Sequence, residues 1–334
     1  MRRTAPILCA LSVACAIVVT LRGAGTLDIY FIDVEGGQST LLVTPSHQSY
    51  LIDTGYNGND GRDAERVVAA VRAAGVTKID FLMITHFHGD HAGGVADLAK
   101  RMPIAAFIDH DTTLPTDTNS KATFEAYAAV RKNGRHIIAK PGDRLPIDSI
   151  DVRVVSSGGA TISAPLSGAA APNPACPPSA PDPGEPFENP RSTGVVVQFG
   201  QFRFIDLGDL SGKPLYSLFC PANLLGKASV YLVPHHGGDD VVYPATFVVS
   251  PRVAIMNNGE RKGGSAAAFT ALHAVPGIRD VWQLHKSLAK DARNYADANV
   301  ANLDETTGHW IKVSAEESGS FTVTNGRTGE TRKY

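Results

Sequence analysis

Three histidines and an aspartate lie within six residues, directly after an apolar segment that is typical of a β-strand. The strand is predicted over Phe81–Thr85, and the polar residues that follow it are His86, His88, Asp90 and His91. Neutral imidazole and carboxylate groups are ligands that Zn²⁺ and similar ions prefer in proteins. A solvated polar loop would not need three imidazoles at this spacing. The motif therefore predicts a metal site at the end of a strand, which constrains both the fold and the chemistry.

Strands and helices alternate along most of the chain, which indicates an α/β fold. Apolar, β-branched runs predict strands, and capped periodic patterns predict helices. The other predicted strands are Leu27–Asp33, Ser39–Thr44, Tyr50–Asp53, Ile104–Asp109, Gly194–Phe199, Arg203–Leu207, Val230–Val233, Val253–Met256, Val281–Leu284, Trp310–Ser314 and Ser320–Thr324. The predicted helices are Ala64–Ala74, Val95–Lys100, Phe124–Asn133 and Ala266–His273. We expect these elements to form a single domain over residues 26–334.

Residues 156–190 differ in composition from the rest of the chain. They contain nine of the 21 prolines, interspersed with Ala, Ser and Gly. This composition disfavours regular structure, and a long structureless stretch inside a compact domain is usually functional or disordered. We interpret the segment as an insertion loop of the domain rather than as a linker between two domains.

The first 25 residues have the layout of a secretory signal. Arg2 and Arg3 precede an apolar run from Ala5 to Leu21, and small residues follow it. The run is about 17 residues long, which is the lower limit for a membrane-spanning helix, so a retained anchor is the alternative to a cleaved signal. The sequence therefore predicts a periplasmic or secreted protein, or one anchored at the outer side of a membrane. A membrane contact is expected only if the leader is retained.

Removal of the leader changes the charge of the chain. The whole chain has 31 basic and 33 acidic side chains, and without residues 1–25 it has 28 basic and 33 acidic ones, a formal charge of −5. Because phosphate binding needs clustered Lys or Arg, this balance disfavours a long nucleic acid as substrate. A local patch at Arg252, Arg261 and Lys262 keeps nucleic acid open as a partner.

Export also affects how the cysteines are interpreted. Cys176 and Cys220 are the two cysteines that follow the leader, and outside the cytosol they have one possible intramolecular pairing. A Cys176–Cys220 disulfide would close a loop of about 45 residues, worth roughly 3–4 kcal/mol in the chain-entropy model. Two separate thiols are the alternative. We expect the disulfide, which would tether the insertion loop.

The spacing His86-x-His88-x-Asp90-His91 resembles the signature of the metallo-β-lactamase superfamily. Asp53 at the end of an early strand, Gly208-Asp209 and Pro234-His235-His236-Gly237 are similar to the later motifs of that superfamily, in the expected order. The resemblance covers nearly the whole mature chain and implies a four-layer αββα sandwich. Residues 33–38 and the His235-His236 pair are most similar to the hydrolase domain of DNA-uptake competence proteins and to secreted hydrolase-like relatives.

The resemblance also implies roles for these residues. The implied metal ligands are His86 and His88 for a first ion, Asp90 and His91 for a second, Asp209 as a bridge, and one of His235 and His236 to complete the second site. The sequence does not separate His235 from His236, and the other of the two would contact substrate. Asp90 is expected also to handle the proton of the attacking water, as the catalytic residue. Asp53 is expected to orient a metal-bound histidine rather than to bind metal itself.

One position departs from the superfamily pattern. Members usually carry a histidine in the turn before the strand that precedes Gly208-Asp209, whereas this turn contains Asn189 and Ser192 and no histidine. The competence relatives are similar in having Asn and Ser there. The first ion could be held by Asn189 or by water, or it could be absent. The resemblance therefore implies one or two ions, with Zn²⁺ as the first choice and Mn or Fe as alternatives.

Three further side chains follow predicted strand ends, where ligand-binding loops gather. They are His110, Asn258 and His285. The functional interpretation places them at the rim of the site or beside substrate. The alternative is an ordinary surface loop or solvated turn.

The ligand set makes metal-assisted hydrolysis the expected reaction. A phosphodiester-type substrate is the first preference because of the competence-like motifs. Hydrolysis of a lactone, a β-lactam or another ester or amide is the alternative. A second alternative, from a different functional class, is a non-catalytic binding protein that retains a degenerate form of the fold.

Overall fold

The computed structural model describes residues 25–114, 116–181, 187–238, 241 and 243–334. The predicted leader, apart from Gly25, lies outside the described residues. None of the helices among the described residues is long and apolar enough to span a membrane.

Strands of the described chain form two sheets, each with parallel and antiparallel pairs. The first sheet has the order β17-β16-β15-β1-β2-β3-β4-β5-β6 and the second has the order β14-β13-β12-β11-β10-β9-β7-β8. The strands are β1 Leu27–Phe31, β2 Thr40–Val43, β3 Ser49–Ile52, β4 Ile79–Met83, β5 Ile104–Asp109, β6 Arg135–Ile138, β7 Asp151–Ser157, β8 Ala160–Thr161, β9 Gly194–Phe199, β10 Phe202–Asp206, β11 Val230–Leu232, β12 Val253–Met256, β13 Asp280–His285, β14 Val300–Asn302, β15 Ile311–Ala315, β16 Phe321–Asn325 and β17 Thr331–Lys333.

The two sheets pack face to face and share one apolar core. Ile52 and Phe31 from the first sheet belong to the same buried cluster as Phe204 and Val230 from the second. The Phe31 and Phe204 rings meet edge to face, with centroids 5.6 Å apart. Because successive side chains of a strand point to opposite faces, the other half of the apolar side chains is presented to the outside of the sandwich.

Helices cover both outer faces, which explains why the central strands are apolar on both sides. The helices are α1 Arg62–Ala73, α2 Gly89–Ala92, α3 Val95–Ala99, α4 Thr118–Arg131, α5 Gly212–Phe219, α6 Tyr243–Thr246 and α7 Ala266–His273. Val67 and Val71 of α1 pack with Leu41 and Leu82 of the first sheet. The second sheet is covered by α5 and α7. The four-layer αββα fold predicted from the sequence is confirmed.

The parallel strands bring several loops to one end of the sandwich. Strands β3, β4, β5 and β6 run parallel in the first sheet, and β10 to β14 run parallel in the second. The carboxyl ends of parallel strands lie at the same edge of a sheet, where ligand sites of α/β proteins gather. Asp53 follows β3, the histidine motif follows β4, Asp209 follows β10, and the His235-His236 pair follows β11.

The segment predicted as an insertion loop is mostly irregular where it is described. It begins inside β7, contains the two-residue strand β8, and ends in a short 3-10 helix over Asn189–Arg191. The Cys176–Cys220 disulfide is formed, as predicted, and ties this segment to the C-terminal end of α5.

Candidate metal centre

Four buried side chains converge at the shared edge of the two sheets. Asp90, His91, Asp209 and His236 each contribute one ligand atom, and these atoms all lie within 4.8 Å of one another. Oδ2 of Asp209 is 3.1 Å from Nε2 of His91 and 3.2 Å from Nε2 of His236. Oδ2 of Asp90 is 3.2 Å from each of the same two nitrogens. We refer to these four residues as the Asp209 cluster.

Local backbone features position these ligands. Asp90 and His91 lie in the short helix α2 directly after β4, and a Cβ atom on Gly37 would be 2.4 Å from the carbonyl oxygen of Asp90. Only glycine therefore permits this loop to approach the motif so closely. His235 and His236 both adopt left-handed backbone conformations, with φ of 51° and 54°. Consecutive non-glycine residues in this region are uncommon and cluster at functional sites.

Asp53 sets the orientation of His91. Its Oδ2 atom lies 2.7 Å from Nδ1 of His91 and accepts a hydrogen bond from the Thr85 hydroxyl at 2.7 Å. Its Oδ1 atom accepts a hydrogen bond from the backbone nitrogen of Thr85 at 2.8 Å. A carboxylate at Nδ1 holds the proton there and leaves Nε2 as the atom that faces the cluster. This is the orienting position that the sequence analysis expected for Asp53. Thr85 was not predicted, although its place between the strand and the histidine motif is a usable signal.

The charges of the cluster favour a bound cation. Burial opposes ionisation of Asp209 and Asp90, but the neighbouring imidazoles outweigh it, so the pKa of each carboxyl lies well below its usual range. Burial likewise opposes protonation of His91, yet the charges of Asp209, Asp90 and Asp53 raise its pKa well above the usual value. Three carboxylates face the imidazoles of His91 and His236, which are neutral when they bind a metal ion, so the carboxylates leave a negative excess there. Oδ1 of Asp209 is buried without a hydrogen-bond donor among the described residues. Imidazole nitrogens and carboxylate oxygens with this charge fit Zn²⁺, and also Mn or Fe.

A second set of donors lies next to Asp209. Nε2 of His86 is 3.9 Å from Oδ2 of Asp209, and Nε2 of His235 is 3.5 Å from the same oxygen. His88 places Nδ1 at 3.0 Å from Nε2 of His86. Burial, followed by the charge of His91, lowers the pKa of His86 well below its usual value, so this imidazole is neutral and suited to bind metal. All predicted ligands therefore lie in one connected group of side chains.

Lys262 is a further residue of the site that the ligand pattern did not reveal. Its ammonium group contacts Oδ2 of Asp90, and its nitrogen lies 5.8 Å from the centre of the Tyr56 ring. The Lys262 side chain is 37% exposed, so it connects the buried cluster with solvent. The available signal was its place in the loop after β12, at the same edge as the metal ligands.

Gln38 links the two sheets behind the cluster. Its side-chain nitrogen donates to both carboxylate oxygens of Asp206, at 3.1 and 3.0 Å, and its backbone nitrogen donates to the carbonyl of Asp90 at 3.0 Å. Burial raises the pKa of Asp206 to about 7, against the opposing hydrogen bonds from Gly208 and Gln38. Gln38 thus fixes the backbone of a ligand residue to the strand that precedes Asp209.

Three side chains predicted at the rim of the site or beside substrate are buried, those of His110, Asn258 and His285. His110 is buried against the Phe87 ring, and its Nε2 atom lies 3.2 Å from a carboxylate oxygen of Glu188. Asn258 is buried and donates to the backbone carbonyl of His285 at 2.8 Å. That these three side chains lie beside the site or contact substrate stays a prediction. Ser192 is also buried, in the turn that carries Asn189.

His285 belongs to a separate buried cluster. Its Nε2 atom lies 2.9 Å from Oδ1 of Asp33 and 3.2 Å from Oε2 of Glu35. Arg66 reaches the same two carboxylates, at 2.6 and 2.8 Å. Burial alone would lower the pKa of His285, but the hydrogen bonds and charges of Asp33 and Glu35 outweigh it and raise the pKa to about 9. We refer to Asp33, Glu35, Arg66 and His285 as the Arg66 cluster.

Known proteins share part of this chain. The family model described as the metallo-beta-lactamase superfamily matches residues 33–172. A hydroxyacylglutathione hydrolase from Xanthomonas axonopodis pv. citri (strain 306) is 30% identical over 123 residues, which are 36% of this chain and 38% of that protein. An atrochrysone carboxyl ACP thioesterase from Passalora fulva is 39% identical over 67 residues, 20% of this chain and 19% of that protein. The similarity therefore spans less than half the length of these relatives.

Among solved structures, a diphosphatase from the PhnP family aligns with a TM-score of 0.42 and 13% identity, over 79% of this chain and 96% of that chain. The segment matched by the family model contains Asp33, Asp53 and the histidine motif, and it supports membership of the metallo-β-lactamase superfamily. The two relatives are named as a hydrolase and a thioesterase. A specific closeness to the competence proteins stays a prediction.

Proposed function

We propose that this protein is an exported metal-dependent hydrolase whose preferred substrate is a phosphodiester. The observation that carries the proposal is the Asp209 cluster with Lys262 against one of its ligand oxygens. A cation bound by the cluster would lie beside the Lys262 ammonium group. Two positive groups side by side complement a phosphodiester, which is anionic before the reaction begins. The charge of −5 for the chain without its leader favours a small phosphodiester over a long nucleic acid.

A metal ion held there supplies two chemical effects, a lowered pKa of water from 15.7 towards about 7 and polarisation of the substrate oxygen. The residues of the chain do the rest. Asp53 keeps the Nδ1 proton of His91 in place, so that Nε2 stays directed at the cluster. Asp90 lies between His91, His236 and Lys262, where its carboxylate can accept a proton from the attacking water. We propose that the ammonium group of Lys262, beside Asp90, stabilises negative charge on the departing oxygen.

Hydrolysis of an ester or thioester is the second candidate function. It is favoured by the names of the two relatives, a hydroxyacylglutathione hydrolase and an acyl-carrier-protein thioesterase. In such a substrate the reacting carbonyl is neutral before attack, so Lys262 would act only on the charge that develops later. Lactone and β-lactam hydrolysis belong to the same group, since each also proceeds from a neutral carbonyl.

A substrate panel with a lysine variant separates the two candidates. The metal-loaded protein is assayed with bis-p-nitrophenyl phosphate, a hydroxyacylglutathione thioester, a lactone and a chromogenic cephalosporin. We expect the highest kcat/KM on the phosphodiester, and a loss of roughly 100-fold on that substrate in Lys262→Met. Lys286→Met is the matched control, because the Lys286 side chain has a similar exposure of 41%. Turnover of only the thioester, lactone or cephalosporin would reject the phosphodiester preference.

Export is supported by the disulfide and by the composition of the leader. Disulfides persist in oxidising compartments and are rare in the cytosol, and Cys176–Cys220 is formed here. Cell fractionation combined with thiol labelling tests this part of the proposal. We expect the native protein in the periplasm or medium, or at the outer side of a membrane, with both cysteines protected from a maleimide until a reductant is added.

A further inference from the structure

The turn that lacks the superfamily histidine is arranged around Asn189. Asn189 is buried, and its Oδ1 atom has no hydrogen-bond donor among the described residues. Its Nδ2 atom lies 3.4 Å from Nε2 of His235. A buried carbonyl oxygen without a partner costs free energy, so a site that keeps one usually satisfies it with a bound ion or water.

His235 reaches the same place as the two histidines of the first metal site. Nε2 of His235 and Nε2 of His86 lie 3.5 and 3.9 Å from one carboxylate oxygen, Oδ2 of Asp209. Nδ1 of His88 is 3.0 Å from Nε2 of His86. Three imidazole nitrogens and one carboxylate oxygen are therefore linked by successive contacts no longer than 3.9 Å. Histidine nitrogens with one carboxylate oxygen are a combination of ligands that Zn²⁺ accepts.

His236 is directed to the other ion. It is buried, and its Nε2 atom lies 3.2 Å from Nε2 of His91 and 3.2 Å from Oδ2 of Asp90. The side chain of His235 is 22% exposed and contacts Asp209 and Asn189 instead. His235 and His236 both have a left-handed backbone, and their imidazoles lie beside different side chains. The His236 ring lies beside His91 and Asp90, the His235 ring lies beside Asn189, and both contact Asp209.

We propose that His235 replaces the missing histidine of the first metal site, with the Asn189 amide beside it. The adjacent pair His235-His236 then supplies one imidazole to each of two ions that share Asp209. This inference rests on the metal dependence in the proposed function and defines which residues produce it.

Metal binding measured by competition tests the assignment without an activity assay. Purified protein is stripped of metal and titrated with Zn²⁺ against a chromophoric chelator, and Co²⁺ absorption reports the ligand geometry. We expect two ions per chain in the wild type. His235→Asn keeps a residue type that tolerates a left-handed backbone but withdraws Nε2, so it should raise the Kd of one ion by roughly 100-fold or more and leave the other unchanged. His273→Asn, at an exposed histidine of α7, is the control.

A second variant separates loss of a ligand from loss of folding. Asn189→His in the His235→Asn background returns an imidazole to the turn, and it should restore the second ion to within about tenfold of the wild-type affinity. Near-ultraviolet circular dichroism verifies that each variant keeps its tertiary packing. Restored binding in the double variant would support the assignment even if His235→Asn is less stable.

The outcomes distinguish this inference from the proposed function. Two ions with unchanged affinities in His235→Asn would overturn the assignment of His235, and so would a wild type whose one bound ion does not depend on His235. Neither result touches the hydrolase proposal, because the Asp209 cluster alone can hold an ion. A wild type that binds no metal at all would overturn both.

Discussion

Among the residues that the structure describes, two clusters contain the residue types that bind metal, and one of the two has the charge for it. The Asp209 cluster brings together Asp90, His91, Asp209 and His236, and the Arg66 cluster brings together Asp33, Glu35 and His285. In both clusters the ligand-type atoms lie within 4.8 Å of one another. By residue type and spacing alone, each would qualify as a metal site.

The two clusters differ in how far the chain's own positive groups balance their carboxylates. Arg66 lies 2.6 Å from Asp33 and 2.8 Å from Glu35, and its guanidinium is always charged. With His285 protonated, the Arg66 cluster has two positive and two negative groups. Around His91, in contrast, the carboxylates of Asp53, Asp90 and Asp209 face two imidazoles, those of His91 and His236, and one ammonium, that of Lys262. Because imidazoles bind metal in their neutral form, a metal ion at this place would meet three negative charges and one positive charge. A metal site is therefore recognised by its unbalanced charge as well as by its ligands.

The largest expected effect comes from removing the shared carboxylate. Asp209→Ala takes away the oxygen that lies within 3.9 Å of His86, His91, His235 and His236. Since metal-ion catalysis contributes several kcal/mol, kcat/KM on the best substrate should fall by roughly a thousandfold or more. Steady-state kinetics with the metal content of each sample measures this, with His273→Ala as control. A variant with no detectable turnover that keeps its biological role would favour the binding-protein alternative.

A change in the Arg66 cluster should affect folding rather than catalysis. Arg66→Met leaves two buried carboxylates with only His285, and breaking a buried ion pair from one side costs roughly 3–5 kcal/mol. The free energy of unfolding is obtained from urea denaturation. Lys100→Met is the matched control, because Lys100 pairs with Asp97 at the surface with a side chain that is 70% exposed, and we expect it to cost less than about 1 kcal/mol. Equal losses of unfolding free energy in Arg66→Met and Lys100→Met would contradict a structural role for Arg66.

Metal removal should affect only one of the two clusters. A ligand present at 100 times its Kd stabilises the folded state by about 2.7 kcal/mol, so a chelator should lower the Tm of the wild type by several degrees. The shift should persist in Arg66→Met and disappear in Asp209→Ala. Thermal unfolding with and without chelator measures it in all three proteins. A chelator-dependent Tm shift that is lost in Arg66→Met would indicate a metal ion in the Arg66 cluster. That result would contradict the conclusion that charge balance keeps metal out of this cluster.

The residues of the Asp209 cluster could be selected from the sequence because they lie in short motifs at strand ends, although the sequence did not separate His236 from His235. The strand that precedes His86 is apolar, and four of the predicted ligands lie within six residues of one another. Neither signal depends on contacts between distant parts of the chain. The alternation of strands and helices predicted the α/β class, and the resemblance of the motifs to the metallo-β-lactamase superfamily implied the four-layer sandwich. The disulfide was predictable because only one pairing was possible after the leader.

Some of the elements that were missed lack such local signals. Strand β14 has three residues, and β6 has the polar pattern Arg135-His136 at its start, so neither forms a recognisable apolar run. Helix α5 contains Pro214, although proline is tolerated in the first turn of a helix.

The partners of Arg66 were also beyond the sequence. Arg66 lies on a helix and Asp33 follows β1, 33 residues earlier, and this distance is closed only by packing of α1 on the sheet. Charge balance between distant residues is a tertiary property, and it is the property that separates the two clusters.

The smallest expected effect is a pH dependence that arises from the Arg66 cluster alone. The pKa of His285 is about 9 in the folded protein, above its value of about 6.5 in an unfolded chain. The stabilisation is therefore fully present below pH 6.5 and is lost as the pH rises through about 9. Arg66 also contacts Glu35, so part of the negative charge stays balanced when His285 loses its proton. We therefore expect a loss of about 2 kcal/mol in the free energy of unfolding across this window.

Urea denaturation from pH 6 to pH 10 measures the loss, and His285→Gln tests its origin. Glutamine retains a polar side chain but no titratable group, so the variant should be less stable at pH 6 and should show a flatter profile up to pH 10. The experiment is done with chelator present, because metal binding by the Asp209 cluster is itself pH-dependent and would otherwise add to the slope. An identical slope in wild type and His285→Gln would show that the protonated imidazole does not balance Asp33 and Glu35. In that case Arg66 alone would be the cation that keeps metal out of this cluster.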